Sequence, residues 1–521
     1  MSESEKPKPA VAGKIRWWPG LGLVALALAA LAWTRLQTEW PFQQRNLLSY
    51  KIVIIAGVAL LLWWTFLSRA PKRLRLGVTF SLAGLGLLGL ACFHLRGMSG
   101  DLMPIIEFRW TKHRELPLAK TNAPVPARST DSAAPYAFPQ FLGPQRNGVF
   151  PGPALATDWE KHPPQILWRQ KVGAAWSGFA IAGETAITLE QRGPEECVVA
   201  YELSGGRQLW FHADTARYQT TIAGEGPRTT PTIVSNHVFT LGASGLLNCL
   251  DLETGGLLWT RNVVHDSGGK IPQWGCASSP LVANDLVIVH GGEQGRRSLH
   301  AYHLADGTPA WSAGAVNPGY ASPLLAELAG ATQIVAFNDS SVSAHDPLTG
   351  ATLWESPWGN GNVVCSTPLL VDARHVLFSS GYGVGAELLE ISRDDLGKFS
   401  AKLIWKSTRM KSKFGHLFAR DGFLYGLDDG IFACVDLKDG SQRWKEGRYG
   451  HGQGLLVGGL YLLMSEAGEL LLLKPTPTTP QPLARFPVFT SKTWNPLALA
   501  DDLLLTRNDQ EAVCLRLALA P

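Results

Sequence analysis

The chain is poor in cysteine, with seven in 521 residues, and no two of them stand in a C-x-x-C pair. That excludes a zinc ribbon and a c-type haem attachment site, and the odd count implies no disulfide framework. Charge is scarce as well: 47 Lys and Arg against 43 Asp and Glu leave a net +4, and charged residues make up only 17%. With 45% hydrophobic residues the chain is no disordered polyelectrolyte, and so small a charge calls for no nucleic-acid partner. Runs of the form G-x-S-x-G, H-E-x-x-H or G-x-x-x-x-G-K-[ST] are missing too, so no sequence signature of hydrolysis, zinc proteolysis or nucleotide chemistry is present. What is plentiful is Gly (54), Pro (34) and Trp (19). Many tight turns and many indoles fit an all-β repeat protein better than a helical bundle.

The first hundred residues are different in kind. Three apolar runs, 17–33, 52–67 and 77–93, each reach the short end of what a helix needs to cross a hydrocarbon layer of roughly 30 Å. Trp17, Trp18, Trp33 and Trp40 sit at edges where interfacial indoles are favoured. Lys6, Lys8, Lys14 and Arg16 precede the first run, and Arg69, Lys72, Arg73 and Arg75 separate the second from the third. These two basic segments are expected on the cytoplasmic side, which puts the chain beyond the third run on the outside. Residues 1–97 thus read as a membrane module in the inner (cytoplasmic) membrane and 98–135, rich in Pro and without periodic pattern, as a linker.

From residue 136 to the end the sequence repeats itself. AYELSGGRQLW, CLDLETGGLLW, AYHLADGTPAW, AHDPLTGATLW and CVDLKDGSQRW end at Trp210, Trp259, Trp311, Trp354 and Trp444. A looser copy ends at Trp405, another has Phe486 in the Trp position, and an isolated QILWRQKVG places Trp168 ahead of them all. The anchors lie 39 to 52 residues apart, the period of a four-stranded propeller blade. A Ser/Thr-Pro or similar pair opens an apolar strand before most units, as at Pro231, Pro280, Pro323 and Pro368. The chain ends in NDQEAVCLRLALAP, a third-strand sequence with no Trp strand after it. The isolated strand at Trp168 is expected to complete that last blade, giving an all-β, eight-bladed propeller closed by an N-terminal strand and leaving no bare edge. Cys249, Cys434 and Cys514 occupy a repeat position held elsewhere by Ala200, Ala301 and Ala344, so they read as small core residues that do not pair.

The D-x-x-T-G-x-x-x-W unit, together with PQFLGPQRNGVFPG at 139–152 and GEGPRTTP at 224–231, resembles the pyrroloquinoline-quinone-like repeat propellers over about residues 139–519. That family includes quinoprotein dehydrogenases and the propeller lipoprotein of the bacterial outer-membrane β-barrel assembly machinery. The resemblance implies the fold and two different functions. The adjacent Cys-Cys ring of many of the family's alcohol dehydrogenases is absent here, as is any haem motif.

In a propeller, the loops leading into the innermost strands and those between second and third strands share one face of the ring, where function is most often found. The leading loops supply Trp176, Arg228, Trp274, Tyr320, Lys413, His451, Trp494 and Asn495, and the second loops Glu190, Arg192, Asn338, Asp339, Asp428, Asp429, Asn508 and Asp509. Aromatic faces with cations suit a flat anionic ligand. The aspartates also have ordinary turn chemistry. The leading expectation is a membrane-anchored periplasmic propeller that binds an envelope protein as a scaffold, with no catalysis, no cofactor and no metal. The alternative is a pyrroloquinoline-quinone-dependent dehydrogenase of alcohols or sugars that uses calcium, with Arg228, Trp274, Lys413 and Trp494 holding the quinone, His451 and Asn495 as further candidate cofactor-binding rim residues, and an aspartate as the base.

Overall fold

A computed structural model describes residues 15–111, 137–314, 317–359, 361 and 363–520. Lys6, Lys8 and Lys14 and the linker residues 112–135 lie outside the described residues. The chain divides into two compact units, Met1–His113 and Arg114–Pro521.

The first unit holds three helices long and apolar enough to cross a membrane: α1 (Trp17–Leu36), α2 (Phe42–Leu62, continued by a π-helical turn at Trp63–Leu67) and α3 (Lys72–Cys92). Pro41 and Pro71 stand directly before α2 and α3, where a missing N–H costs nothing. Two boundaries differ from those read in the apolar runs. α2 starts ten residues before Ile52 because the polar stretch ahead of it is bonded rather than looped: Asn46 donates to the Asp101 carbonyl at 2.8 Å, and Tyr50 to that of Leu102 at 3.1 Å. Both acceptors belong to the turn of a hairpin, Phe93–Met98 paired with Pro104–Phe108, so residues 98–108 are structured where a linker was expected. α3 likewise starts at Lys72, ahead of Gly77. α1 and α2 approach closely at Gly20, where an added Cβ would stand 2.6 Å from the Trp63 ring.

The second unit is an eight-bladed propeller. Six of its blades, starting with Ala180–Ala182, Thr232–Val234, Leu281–Ala283, Leu324–Leu328, Leu369–Leu370 and Phe418–Arg420, run as four consecutive antiparallel strands from the channel outward. The seventh starts with Gln453–Val457 and the eighth with Ala498–Ala500. The eighth takes its outermost strand from Gln165–Lys171, which pairs with Glu511–Arg516 and sets Trp168 opposite Cys514. All seven cysteines are free.

The repeated motif has a physical reason. Most anchor indoles dock on the next blade: Trp168, Trp210, Trp259 and Trp405 donate to the carbonyls of Leu203, Leu252, Leu304 and Leu437 at 2.8, 3.0, 2.8 and 2.7 Å. The turn glycine of that next blade lies flat under the ring. At Gly307, which has φ +71°, a Cβ would meet Trp259 at 2.7 Å, so the turn admits only a residue that tolerates positive φ and has no side chain. The hydroxyl before the strand-opening proline joins blades at the channel: Ser279 Oγ accepts from the Thr230 N–H, and Ser322 Oγ from that of Ser279, both at 2.9 Å.

Residues 137–150 form a strap across one end of the channel. Ala137–Phe138 pairs with the innermost strand of the first blade, and Val149–Phe150 pairs in parallel with that of the seventh. Between them the Pro139 carbonyl accepts from Ile233 of the second blade at 2.7 Å. The buried Arg146 guanidinium reaches the Pro280 and Ser279 carbonyls of the third at 2.9 and 3.2 Å. Burial with no carboxylate beside it lowers the Arg146 pKa to about 9.

Candidate functional site

The strap's two strands pair with the last residues of the first and seventh innermost strands, whereas the leading loops surround the mouth at the first residues of these strands. The sequence-derived candidates fall there into two groups. The first is an aromatic platform. Trp176, leading into the first blade, and Phe414, leading into the sixth, both pack on Trp494, with ring centroids 5.0 Å away. Lys492 Nζ stands 3.7 Å above Trp494 and 4.6 Å above Trp176, a cation–π arrangement. Trp494 donates to Glu466 Oε1 at 3.0 Å, and the other carboxylate oxygen accepts from the His451 N–H at 3.0 Å. Lys413 is buried between His451 Nε2, 3.4 Å away, and the Tyr382 ring, 5.3 Å away. Asn495 is fully buried and donates to the carbonyls of Ala175 and Ser177 at 3.0 and 2.8 Å. It ties the eighth blade's loop to the first blade's.

The second group surrounds Arg228. Its guanidinium lies 4.8 Å from the Tyr218 ring centroid and donates to the Trp274 carbonyl. Burial holds its pKa below the usual arginine value. Tyr320 adjoins the group, and burial raises its phenol. The nearby Cys276 and Cys365 thiols are pushed up to about 12 by burial, Arg228 offsetting part of this. A cavity of about 10 Å³ lies beside Tyr320, Cys276, Ser278 and His290, room for about one water.

The second-loop residues are engaged locally. Burial raises the Asp428 pKa, but Lys411 and Lys445, each 2.9 Å away, outweigh it and hold the carboxyl below its usual range. For Asp429 burial wins and the pKa is raised. Glu190 bridges Arg192 at 2.9 Å and accepts from the Tyr201 hydroxyl at 2.6 Å. Asn508 Oδ1 closes its own turn by accepting from the N–H groups of Gln510 and Glu511, and Asp339 accepts from Ser340. Asn338 donates to Ser343 at 3.3 Å. Among the described residues no three His, Cys, Asp or Glu side chains gather closely enough to hold a metal ion.

The rings of Trp176, Phe414 and Trp494 pack on one another at contact spacing. Tyr218, Tyr382, Phe414, Glu466 and Lys492 escaped the sequence reading. Phe414 and Lys492 were within reach of it, being one residue from Lys413 and two from Trp494.

The family described as outer membrane protein assembly factor BamB matches residues 194–446. The outer membrane protein assembly factor BamB of Shewanella oneidensis is 26% identical over 262 residues, which are 47% of this chain and 60% of that protein. That of Moranella endobia is 23% identical over 308 residues, 54% of this chain and 72% of that protein. The chain thus spans less than two thirds of the Shewanella protein's length. Among solved structures, the quinohemoprotein alcohol dehydrogenase of Comamonas testosteroni superposes with a TM-score of 0.57 at 12% identity, covering 74% of this chain and 81% of that one. This is a likeness of fold. The second unit is a propeller, similar in sequence to outer membrane protein assembly factor BamB.

Proposed function

We propose that this protein is a membrane-anchored scaffold of envelope assembly, whose propeller stands on the periplasmic side of the inner membrane and binds a protein partner without catalysis. The observation that carries this reading is the mouth itself: aromatic rings and cations are gathered there, and the rings of Trp176, Phe414 and Trp494 pack on each other at contact spacing. Half-buried Trp274 and Tyr320 beside Arg228, with half-buried Trp494 in the aromatic platform, have the composition of an interface hot spot, rich in aromatics and arginine. The similarity to BamB, named for outer membrane assembly, supports an envelope protein as the partner. The three apolar helices support anchorage. The basic residues Arg16, Arg69, Lys72 and Arg73 favour a cytoplasmic N-terminus.

A photoreactive residue in place of Trp274 in the full-length protein tests partner and orientation together. In cells it is expected to crosslink one periplasmic or outer-membrane protein, and Arg228→Ala should weaken that product. A cytoplasmic protein as the crosslinked species would overturn the orientation, and no product at all would overturn the binding mouth.

A further inference from the structure

The first unit carries a site that the scaffold reading leaves unused. Between α1 and α2 runs an open groove of about 520 Å³, lined by Trp18, Gly22, Leu26, Ala59, Trp63 and Leu67 among others, with no charged side chain along it. On α1 the lining extends from Trp18 to Leu26 and on the antiparallel α2 from Leu67 back to Ala59. Eight residues of helix rise about 12 Å, close to one leaflet of a hydrocarbon core roughly 30 Å thick. The groove's depth therefore matches a single acyl chain entering from one membrane face.

The end from which it would enter is basic. Arg16 lies two residues before Trp18 and Arg69 two residues after Leu67. The Arg16 N–H donates to the Ser68 carbonyl at 2.8 Å, which holds the two arginines at the same end. Both are exposed, and Lys72 and Arg73 stand close by at the start of α3. No Asp or Glu occurs at 15–38 or 40–100, so this stretch contains no counterion of its own. Basic clusters at the end of transmembrane helices attract anionic headgroups, and guanidinium groups match phosphate oxygens in a bidentate fork. Gly22 and Ala59 leave the space that a larger residue would close.

We infer that the groove holds one acyl chain of an anionic glycerophospholipid whose phosphate is bound by Arg16 and Arg69. The inference rests on the membrane-anchored reading. It is tested on the full-length protein in neutral detergent by native mass spectrometry with added phosphatidylglycerol or phosphatidylcholine. Phosphatidylglycerol should be retained preferentially. The double substitution Arg16→Gln and Arg69→Gln should cut its retention by about thirtyfold, each charge being worth roughly fivefold. Ala59→Trp should fill the groove and reduce both lipids, and glycerol 3-phosphate should displace neither. Equal retention of the two lipids, indifference to the double substitution, displacement by glycerol 3-phosphate, or a dimer that Ala59→Trp dissolves would each overturn the site. Alkaline extraction of membranes reads anchorage separately. A chain that stays in the membrane but shows no lipid preference sinks this inference alone.

Discussion

At the scale of single residues, the propeller is held by indoles seated on the glycines of neighbouring blades. Trp259 is buried, bonds to Leu304 and lies on Gly307. Trp259→Ala is expected to cost about 3–5 kcal/mol, the range for emptying a large aromatic site, measured by denaturant unfolding. A loss below about 1 kcal/mol would mean that the indole is not a packing residue. One anchor breaks the rule: Trp354 bonds to Gln333 Oε1 of its own blade at 2.7 Å, and the blade after it is the looser copy, without the D-x-x-T-G turn. The anchors and turn glycines were legible because the pattern is local and recurs. Glu466 and Tyr218 were not, because irregular loops of different blades bring them to the mouth. Buried histidines add a pH dependence. Burial holds His290 and His416 at about 4, against roughly 6.5 when unfolded. Between these values the unfolded chain binds protons that the folded chain does not, so stability is full above pH ~6.5 and falls as pH drops toward 4. His416 also bonds to the strap at the Asn147 carbonyl. His416→Gln should flatten the acid limb of a stability–pH curve, and an unchanged limb would contradict this origin.

Among the elements, the strand Gln165–Lys171 decides whether the ring closes. It was legible as a Trp strand without a blade, facing a last blade without a Trp strand. Deleting Pro164 to Val172 should strip the eighth blade of its outer strand and bare the edge of Glu511–Arg516, producing aggregation and a broadened unfolding transition. Unchanged solubility and cooperativity would refute closure by this strand. The strap was not legible in the same way. Its sequence at 139–152 marked a family resemblance, but its two-residue strands are too short to show a period, and its partners are spread over several blades. The hairpin after α3 was missed for a related reason. Its pairing depends on contacts with Asn46 and Tyr50, about fifty residues earlier in the chain.

For the whole molecule, a propeller ring and an aromatic, cationic mouth suit both a quinone enzyme and a protein binder, and fold alone does not choose between them. What separates the two is whether the mouth has space. The most direct measurement is an equilibrium titration of the full-length protein with pyrroloquinoline quinone and Ca²⁺, read by quenching of tryptophan fluorescence. A closed mouth predicts no saturable binding up to millimolar quinone. Saturation at micromolar concentration, about −8 kcal/mol, lost in Arg228→Ala, would contradict it.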